Sequence, residues 1–377
     1  MRRILYLTGT RADFGLMEAT LRAIDAHPGL QLQLAVTGMH LSAQFGATVD
    51  EIEASGLPIA ARIPTDVDSR TPAGMARAVG QTVLGMTQAL EQREPDVLLL
   101  LGDRGEMLGG AIAALHLGVV IAHLHGGERS GTVDEPVRHA ISKLAHWHFA
   151  ATEASRERLV RMGEAEDHVW VTGAPSLDGL VALGDRPRRE VLQSLGLGDE
   201  ERYLLVLFHP VVQEEADAYA QTQALAAALR ETAGGRRIVW LAPNADAGSA
   251  GVLQGRADAG EAGIRAITHL PRAAYVAALR HADLLVGNSS SGIIEAASFG
   301  TPVVNIGLRQ NARERNANTI DCGTGREEIA SALRSASAHG PYPPANVYGD
   351  GAAAARIVRL LADTPITPAL LHKVNRY

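Results

Sequence analysis

One stretch of this chain concentrates groups that can move protons. His123, His125, Glu128, Asp134, Glu135, Arg138 and His139 lie close together around a Gly126-Gly127 pair that lets the backbone turn tightly. Imidazoles and carboxylates collected in one Gly-rich segment make a strongly ionisable loop that enters a helix. A plainer reading is also open, in which Asp134 or Thr132 caps the following helix and Arg138 and Lys143 form its solvated face. Asp103, in Leu101-Gly102-Asp103-Arg104-Gly105-Glu106, is a second candidate. A carboxylate at a strand end can cap the next helix or, beside Arg104, take part in proton transfer. His123, His125, Glu128 and His139 also bring metal binding to mind. There is no HExxH, however, and alternation along a strand aims His123 and His125 at one face without supplying a third ligand, so a metal-free site is expected.

A second group suits an anion. Gly287-Asn288-Ser289-Ser290-Ser291-Gly292 follows an apolar run and leads into a helical stretch, and hydroxyls plus unsatisfied N–H groups at a helix start can cradle a diphosphate. Phe208-His209-Pro210 and Ala242-Pro243-Asn244 end neighbouring runs, and Arg309 and Arg313 can add charge-assisted bonds. Glu295, one turn into its helix, can accept bonds from ribose hydroxyls. Each feature alone could be an ordinary helix cap; their shared placement at strand ends favours the anion site. Residues 8–15 (TGTRADFG) form another strand-to-helix turn, but not GxGxxG, so a redox dinucleotide is not expected.

These residues need a frame that collects strand ends. Apolar runs at residues 4–7, 32–36, 97–101, 119–124, 148–151 and 169–171 alternate with helical periodicity over 71–94, 108–117 and 137–147. The alternation pauses near 178–190. It restarts with runs at 203–208, 238–241, 266–270, 284–286 and 303–306, separated by helical stretches over 216–232, 272–281 and 292–299. Continuous apolar strands between helices indicate parallel sheets covered on both faces. With 377 residues, two Rossmann-like doubly wound α/β domains are expected, residues 1–177 and 178–377, facing a cleft, with a last helix over 352–362 able to pack back on the first. A hydrophobic share of 46% with aromatics at 4% fits helix-on-sheet layers rather than disorder.

The remaining composition narrows the function classes. Cys322 is the single cysteine, which excludes an intramolecular disulfide and a multi-cysteine zinc site. No apolar run approaches a membrane span, and the amino-terminal run is too short for a signal h-region, so a cytoplasmic protein is expected. A net charge of −7 without a basic block argues against general nucleic-acid binding.

Taken in order, the motifs resemble the UDP-N-acetylglucosamine 2-epimerases, in particular the hydrolysing branch that makes N-acetylmannosamine for sialic-acid-type sugars. The resemblance is carried by TGTRADFG, VTGMHLS, LGDRGEM, HGGERSGTVDEPVRHAISKLAHWHF, FHP, PNADAG and GNSSSGIIEAASFGTPVVNIGLRQ, spanning residues 8–310. It implies the GT-B fold, a UDP-activated amino sugar as substrate, no cofactor, and a homodimer or homotetramer. It also implies loss of UDP and the C2 proton to give a glycal, followed by addition of water. Asp103 and Asp134 match the family's catalytic carboxylates. Some members carry a catalytic Glu where this chain has His125, so that role falls to His125 or to Glu128. Arg11, Asp13, Arg104 and Arg138 match groups facing the sugar or diphosphate from the first domain. His209, Ser289, Ser290 and Arg309 match diphosphate-binding positions, Glu295 the ribose-binding glutamate, and Asn244 and Leu270 the flanks of the uracil. Two alternatives are the same chemistry on a UDP-2,4-diacetamido-2,4,6-trideoxyglucose and a non-hydrolysing epimerase.

Overall fold

Along β1 (Arg2–Thr8), Ile4 and Tyr6 face one core layer while Leu5 and Leu7 face another, which is why the strand reads as an unbroken apolar run. The first layer is completed by the helix Arg11–Asp25, the second by the helices Pro72–Arg93 and Gly105–His116. The same two-sided burial recurs in β8 (Tyr203–Leu207). There, Leu204 and Val206 pack on the helix Ala218–Thr232, while Tyr203 and Leu205 pack on the helix Arg272–His281. Burying a leucine-sized side chain in this way is worth about 1.5–3 kcal/mol.

The computed structural model describes residues 1–69, 71–131, 134–244, 246–260 and 262–376. The first sheet comprises β1, β2 (Leu30–Thr37), β3 (Ile59–Ile63), β4 (Val97–Leu101), β5 (Val120–Leu124), β6 (Trp147–Ala150) and β7 (Val169–Val171), in the order β3-β2-β1-β4-β5-β6-β7. The second comprises β8, β9 (Arg237–Leu241), β10 (Ile264–Ile267), β11 (Leu284–Gly287), β12 (Val303–Ile306) and β13 (Thr319–Cys322), in the order β10-β9-β8-β11-β12-β13. Paired strands within each sheet are parallel. Each order reverses direction once, between β1 and β4 and between β8 and β11. Beyond the carboxyl ends of such a switch point, side chains and backbone are free to meet a ligand.

Several element boundaries differ from the sequence expectation, among them the strand expected over 266–270, which runs Ile264–Ile267. The helix expected from residue 137 starts at Asp134, and the one expected from 108 starts at Gly105, so both begin on the candidate loops themselves. The stretch expected as one helix over 292–299 is a short α-helix, Ser290–Ile294, followed by a 3-10 turn, Ala296–Phe299.

By contact, Met1–Glu128, Val133–Asp178 and Tyr348–Tyr377 form one unit, and Arg129–Thr132 with Gly179–Val347 the other, so the second unit stops at Val347 rather than running to the end of the chain. The returning helix Ala353–Asp363 packs Ile357 and Leu361 into the first unit's core. Asp178 caps its start, one carboxylate oxygen accepting from the Ala353 amide at 2.9 Å and the other from the Ala354 amide. Past that helix, the Lys373 ammonium donates to the carbonyls of Ser142, Lys143 and Ala145 at 3.1, 2.9 and 2.6 Å, and lies 2.5 Å from Glu164. A cation at the last carbonyls of the helix Asp134–Leu144 satisfies groups the helix itself leaves open. No helix among the described residues is long and apolar enough to cross a membrane.

Candidate active site

The carboxyl end of β4 delivers Asp103, and its partner is Arg138, whose side chain is fully buried. The guanidinium donates to the Asp103 carboxylate and, at 3.0 Å, to the Glu128 carbonyl. A buried cation needs such a counter-charge, because removing one member strands the other in low dielectric. Asp134 precedes Arg138 by four residues on the helix Asp134–Leu144 and so shares its face. The helix therefore carries a second carboxylate on the flank that meets Asp103.

His125 and Glu128 are bonded to each other, imidazole Nδ1 to carboxylate Oε1, and both are buried. An ionised carboxylate only accepts, so Nδ1 is the donor of this pair. His125 has φ 61°, the left-handed region that side chains rarely occupy, and its amide donates to the Phe149 carbonyl at 3.1 Å. The two glycines after it are required by packing. A Cβ on Gly126 would stand 2.9 Å from the Ser142 hydroxyl oxygen, and one on Gly127 would stand 2.2 Å from the Ser155 carbonyl oxygen.

The TGT turn after β1 is organised around Asp13. The Asp13 carboxylate is buried and engaged by its own turn: the Thr8 hydroxyl on one oxygen, and on the other the Gly9 amide at 3.0 Å, the Thr10 amide at 2.9 Å and the Thr10 hydroxyl at 3.1 Å. Burial raises its pKa to about 6 even against these bonds. Asp13 therefore shapes the loop. Arg11 opens the helix Arg11–Asp25, half-buried, and burial lowers its pKa despite the charge of Glu51. Arg104 lies with Nε 3.5 Å from Glu106. Glu106, not singled out from the sequence, is buried where Gly9 and Gly38 leave room for it, its Oε1 3.3 and 3.1 Å from a Cβ built at either position.

In the second unit the switch point is held by a residue the sequence reading passed over. The Asn288 side chain accepts from the His209 amide at 2.7 Å and donates to the His209 carbonyl at 2.8 Å, so one amide group locks the ends of β8 and β11 together. Gly287 permits this approach, since a Cβ there would lie 2.1 Å from the Leu207 carbonyl oxygen. The Asn288 carbonyl in turn accepts from Arg309 at 3.3 Å and Gln310 at 3.1 Å. His209 Nδ1 accepts from the Asn244 amide at 3.1 Å, so the imidazole proton sits on Nε2 and that nitrogen is a donor. The Asn244 side chain bonds Asp246 at 2.5 Å.

Ser289 caps the short helix by accepting from the Ser291 amide at 3.3 Å, and Ser290 is the first helical residue. Buried Glu295 is paired with Arg272 on one oxygen and accepts from the Ser291 hydroxyl at 2.5 Å on the other, while the Tyr275 hydroxyl donates to Ser291 at 2.6 Å. A carboxylate has lone pairs beyond these two bonds, so Glu295 can still accept from a ligand. Leu270 is half-buried against the second unit's core, just before the helix Arg272–His281. The sequence thus pointed to Glu295 without Arg272 and Tyr275; the i, i+3 spacing of those two on one helix face was the available signal.

Replacing Asn288 by Ala would leave the His209 amide and carbonyl without their partner. A lower thermal unfolding midpoint is expected, equivalent to about 1–3 kcal/mol. An unchanged midpoint would show that the pair contributes nothing.

Two parallel-sheet α/β units, each with its polar groups gathered at the strand ends of a switch point, are the GT-B kind of fold. A crystal structure of UDP-GlcNAc 2-epimerase from Neisseria meningitidis bound to UDP-GlcNAc has this fold. It is similar with a TM-score of 0.81 at 18% identity, covering 95% of this chain and 99% of that one. The family model described as UDP-N-acetylglucosamine 2-epimerase matches residues 22–362. A relative from Legionella pneumophila named UDP-N,N'-diacetylbacillosamine 2-epimerase (hydrolyzing) is 45% identical over 380 residues, covering 100% of both chains. A UDP-N-acetylglucosamine 2-epimerase from Neisseria meningitidis serogroup B is 33% identical, covering 93% of this chain and 92% of the relative. The chain belongs to the UDP-N-acetylglucosamine 2-epimerase family.

Proposed function

We propose that the protein is a hydrolysing 2-epimerase acting on UDP-2,4-diacetamido-2,4,6-trideoxyglucose, that is, UDP-N,N'-diacetylbacillosamine. The observation that carries the chemistry is half-buried Asp103 paired with buried Arg138, beside the buried His125–Glu128 pair, with Asp134 on the same helix face as Arg138. The substrate choice is supported by the full-length, 45% identical relative that bears this name.

In the first stage the C2–H bond breaks and its electron pair forms a C1=C2 double bond. The C1–oxygen bond breaks, UDP leaves with that pair, and the proton passes to a base of the first unit. In the second stage water adds its oxygen to C1, and a proton returns to C2 on the opposite face. The products are the 2-epimeric free sugar and UDP. The His125–Glu128 pair serves as one device, with Glu128 orienting the ring and Nε2 transferring the proton. Asp103 and Asp134 share the remaining proton transfers. Arg11, Arg104 and Arg138 hold charge facing the sugar or diphosphate. His209 Nε2–H, Ser289, Ser290 and Arg309 donate to the diphosphate, Glu295 accepts from the ribose, and Asn244 and Leu270 flank the uracil. Donors fixed in advance stabilise the charge that develops on the leaving group. A cytoplasmic location and a homodimer or homotetramer belong to the same reading.

A second reading, N-acetylmannosamine formation from UDP-N-acetylglucosamine, is favoured by the 33% identical Neisseria relative. Incubating the purified protein with each nucleotide sugar in D2O and following UDP and sugar by NMR separates them. Faster UDP release from the diacetamido substrate, with deuterium at C2 of the free epimer, is the expected result. Faster release from UDP-N-acetylglucosamine would move the assignment to the second reading, and an epimerised nucleotide sugar without free UDP would refute hydrolysis.

A further inference from the structure

His123 has no part in the chemistry above, yet it joins three of the segments that carry it. It is fully buried near the end of β5, two residues before His125. Its Nε2 lies 2.7 Å from the carbonyl oxygen of Gly102, the residue preceding Asp103, and its Nδ1 lies 3.1 Å from the Ser142 hydroxyl. Ser142 is itself fully buried, one helical turn beyond Arg138 on the helix Asp134–Leu144. A carbonyl can only accept, so Nε2 carries the proton. The neutral ring then leaves Nδ1 as the acceptor for the Ser142 hydroxyl. Burial holds the ring neutral, lowering its pKa to about 3 against the opposing bond to Gly102. Gly102 has φ +79°, a conformation open to glycine, and the carbonyl that His123 holds belongs to the peptide leading into Asp103. Gly126 keeps the hub clear, since a Cβ there would stand 3.1 Å from His123 Nδ1 and 2.9 Å from the Ser142 hydroxyl oxygen.

We propose that His123, fixed as its Nε2–H tautomer by Ser142, is a positioning residue that sets the Gly102 peptide, and through it the Asp103 carboxylate, against the helix bearing Asp134 and Arg138. The inference rests on reading Asp103 as a proton-transfer group. It acts by geometry: a catalytic group displaced by an ångström can cost about 10²-fold in rate.

The test pairs a measurement on the resting protein with kinetics. Long-range 15N NMR of histidine-labelled protein is expected to show one ring held as the neutral Nε2–H tautomer from pH 5 to pH 9, assigned by its loss in His123→Gln. An Nδ1–H tautomer or a titrating ring would overturn the proposal. With whichever UDP-amino sugar the protein turns over fastest, His123→Leu is expected to lose about 10²-fold in kcat while KM and UDP affinity stay within about twofold. His123→Gln, which can still donate to Gly102, is expected to regain about tenfold of that loss, and Ser142→Ala to lose about tenfold. In an Asp103→Asn background His123→Leu is expected to add nothing, since its effect runs through Asp103. Equal losses for Leu and Gln, or an additive loss in the double variant, would sink the idea. If His123→Leu does not fold, the Gln and Ser142→Ala variants decide. If the wild type turns over no UDP-amino sugar, the reading of the site fails, and the tautomer measurement alone judges the hub.

Discussion

Asp103→Asn is expected to lower kcat by about 10²–10⁴-fold, the usual worth of a positioned acid or base. Asn matches Asp in size and its side-chain oxygen can still accept from the Arg138 guanidinium, so the change removes charge and basicity more than shape. Alanine would be a poorer probe, because it would leave the fully buried Arg138 without a counter-group and confound activity with folding. UDP affinity should stay near the wild-type value, since the proposed donors to the diphosphate, His209, Ser289, Ser290 and Arg309, and the ribose acceptor Glu295 lie in the second unit and the Asn side chain still engages Arg138. Steady-state UDP release and calorimetric UDP titration, read beside the unfolding midpoint, are the measurements. Wild-type turnover in the variant would remove Asp103 from the chemistry; a collapsed midpoint with proportional loss of both signals would reassign it to structure.

Acid lability is the other large expected effect. Burial lowers the pKa of His40 to about 4, of His123 to about 3 and of His146 to about 4, from an ordinary 6.5. The unfolded chain therefore binds these protons first as pH falls. The stability held by the neutral rings is complete above pH 6.5 and is lost progressively down to the folded-state values. Each ring contributes about 1.4 kcal/mol per pH unit, so the three together remove about 4 kcal/mol per unit below pH 6.5. Asp13 acts in the opposite sense. Its folded-state pKa, raised from 3.8 to about 6, returns stability as pH falls through that window, about 1.4 kcal/mol per unit. Three groups against one leave a net loss. Denaturant midpoints at pH 7.5 and pH 5.5 should differ strongly, with near-ultraviolet signals from the first unit's Trp147 reporting it. A flat midpoint across that interval would show that these rings are not held neutral.

The interior of the fold was legible because its central strands are covered on both sides. β4, with Val97 to Leu101 all buried, reads from sequence at its true limits. The edge strands β3 and β13 were missed because one side of each lacks a neighbour. There, polar residues such as Arg62 and Asp321 interrupt the apolar pattern. The site was legible where a side chain ends a strand and has an obvious chemical use, as with Asp103 and His209. It was not legible where the use is a bond across the chain. Asn288 sits 79 residues from His209, and Arg138 reaches back 35 residues to Asp103. Asp13's part in its own turn was not legible either, since a carboxylate three residues after a Thr serves a capping box as readily as a ligand.

The return of residues 348–377 to the first unit has a consequence for biosynthesis. On the ribosome, the helix Arg11–Asp25 emerges long before Ile357 and Leu361, which complete the core layer it shares with the first sheet. The second unit, whose strands run without interruption from β8 to β13, is complete before that cover exists and can assemble ahead of its predecessor. The helix bearing Asp134 and Arg138 obtains its carboxyl-end cation from Lys373, which is made after the whole second unit. A nascent chain that has not yet reached Lys373 therefore lacks the cation that closes the helix of its reactive half.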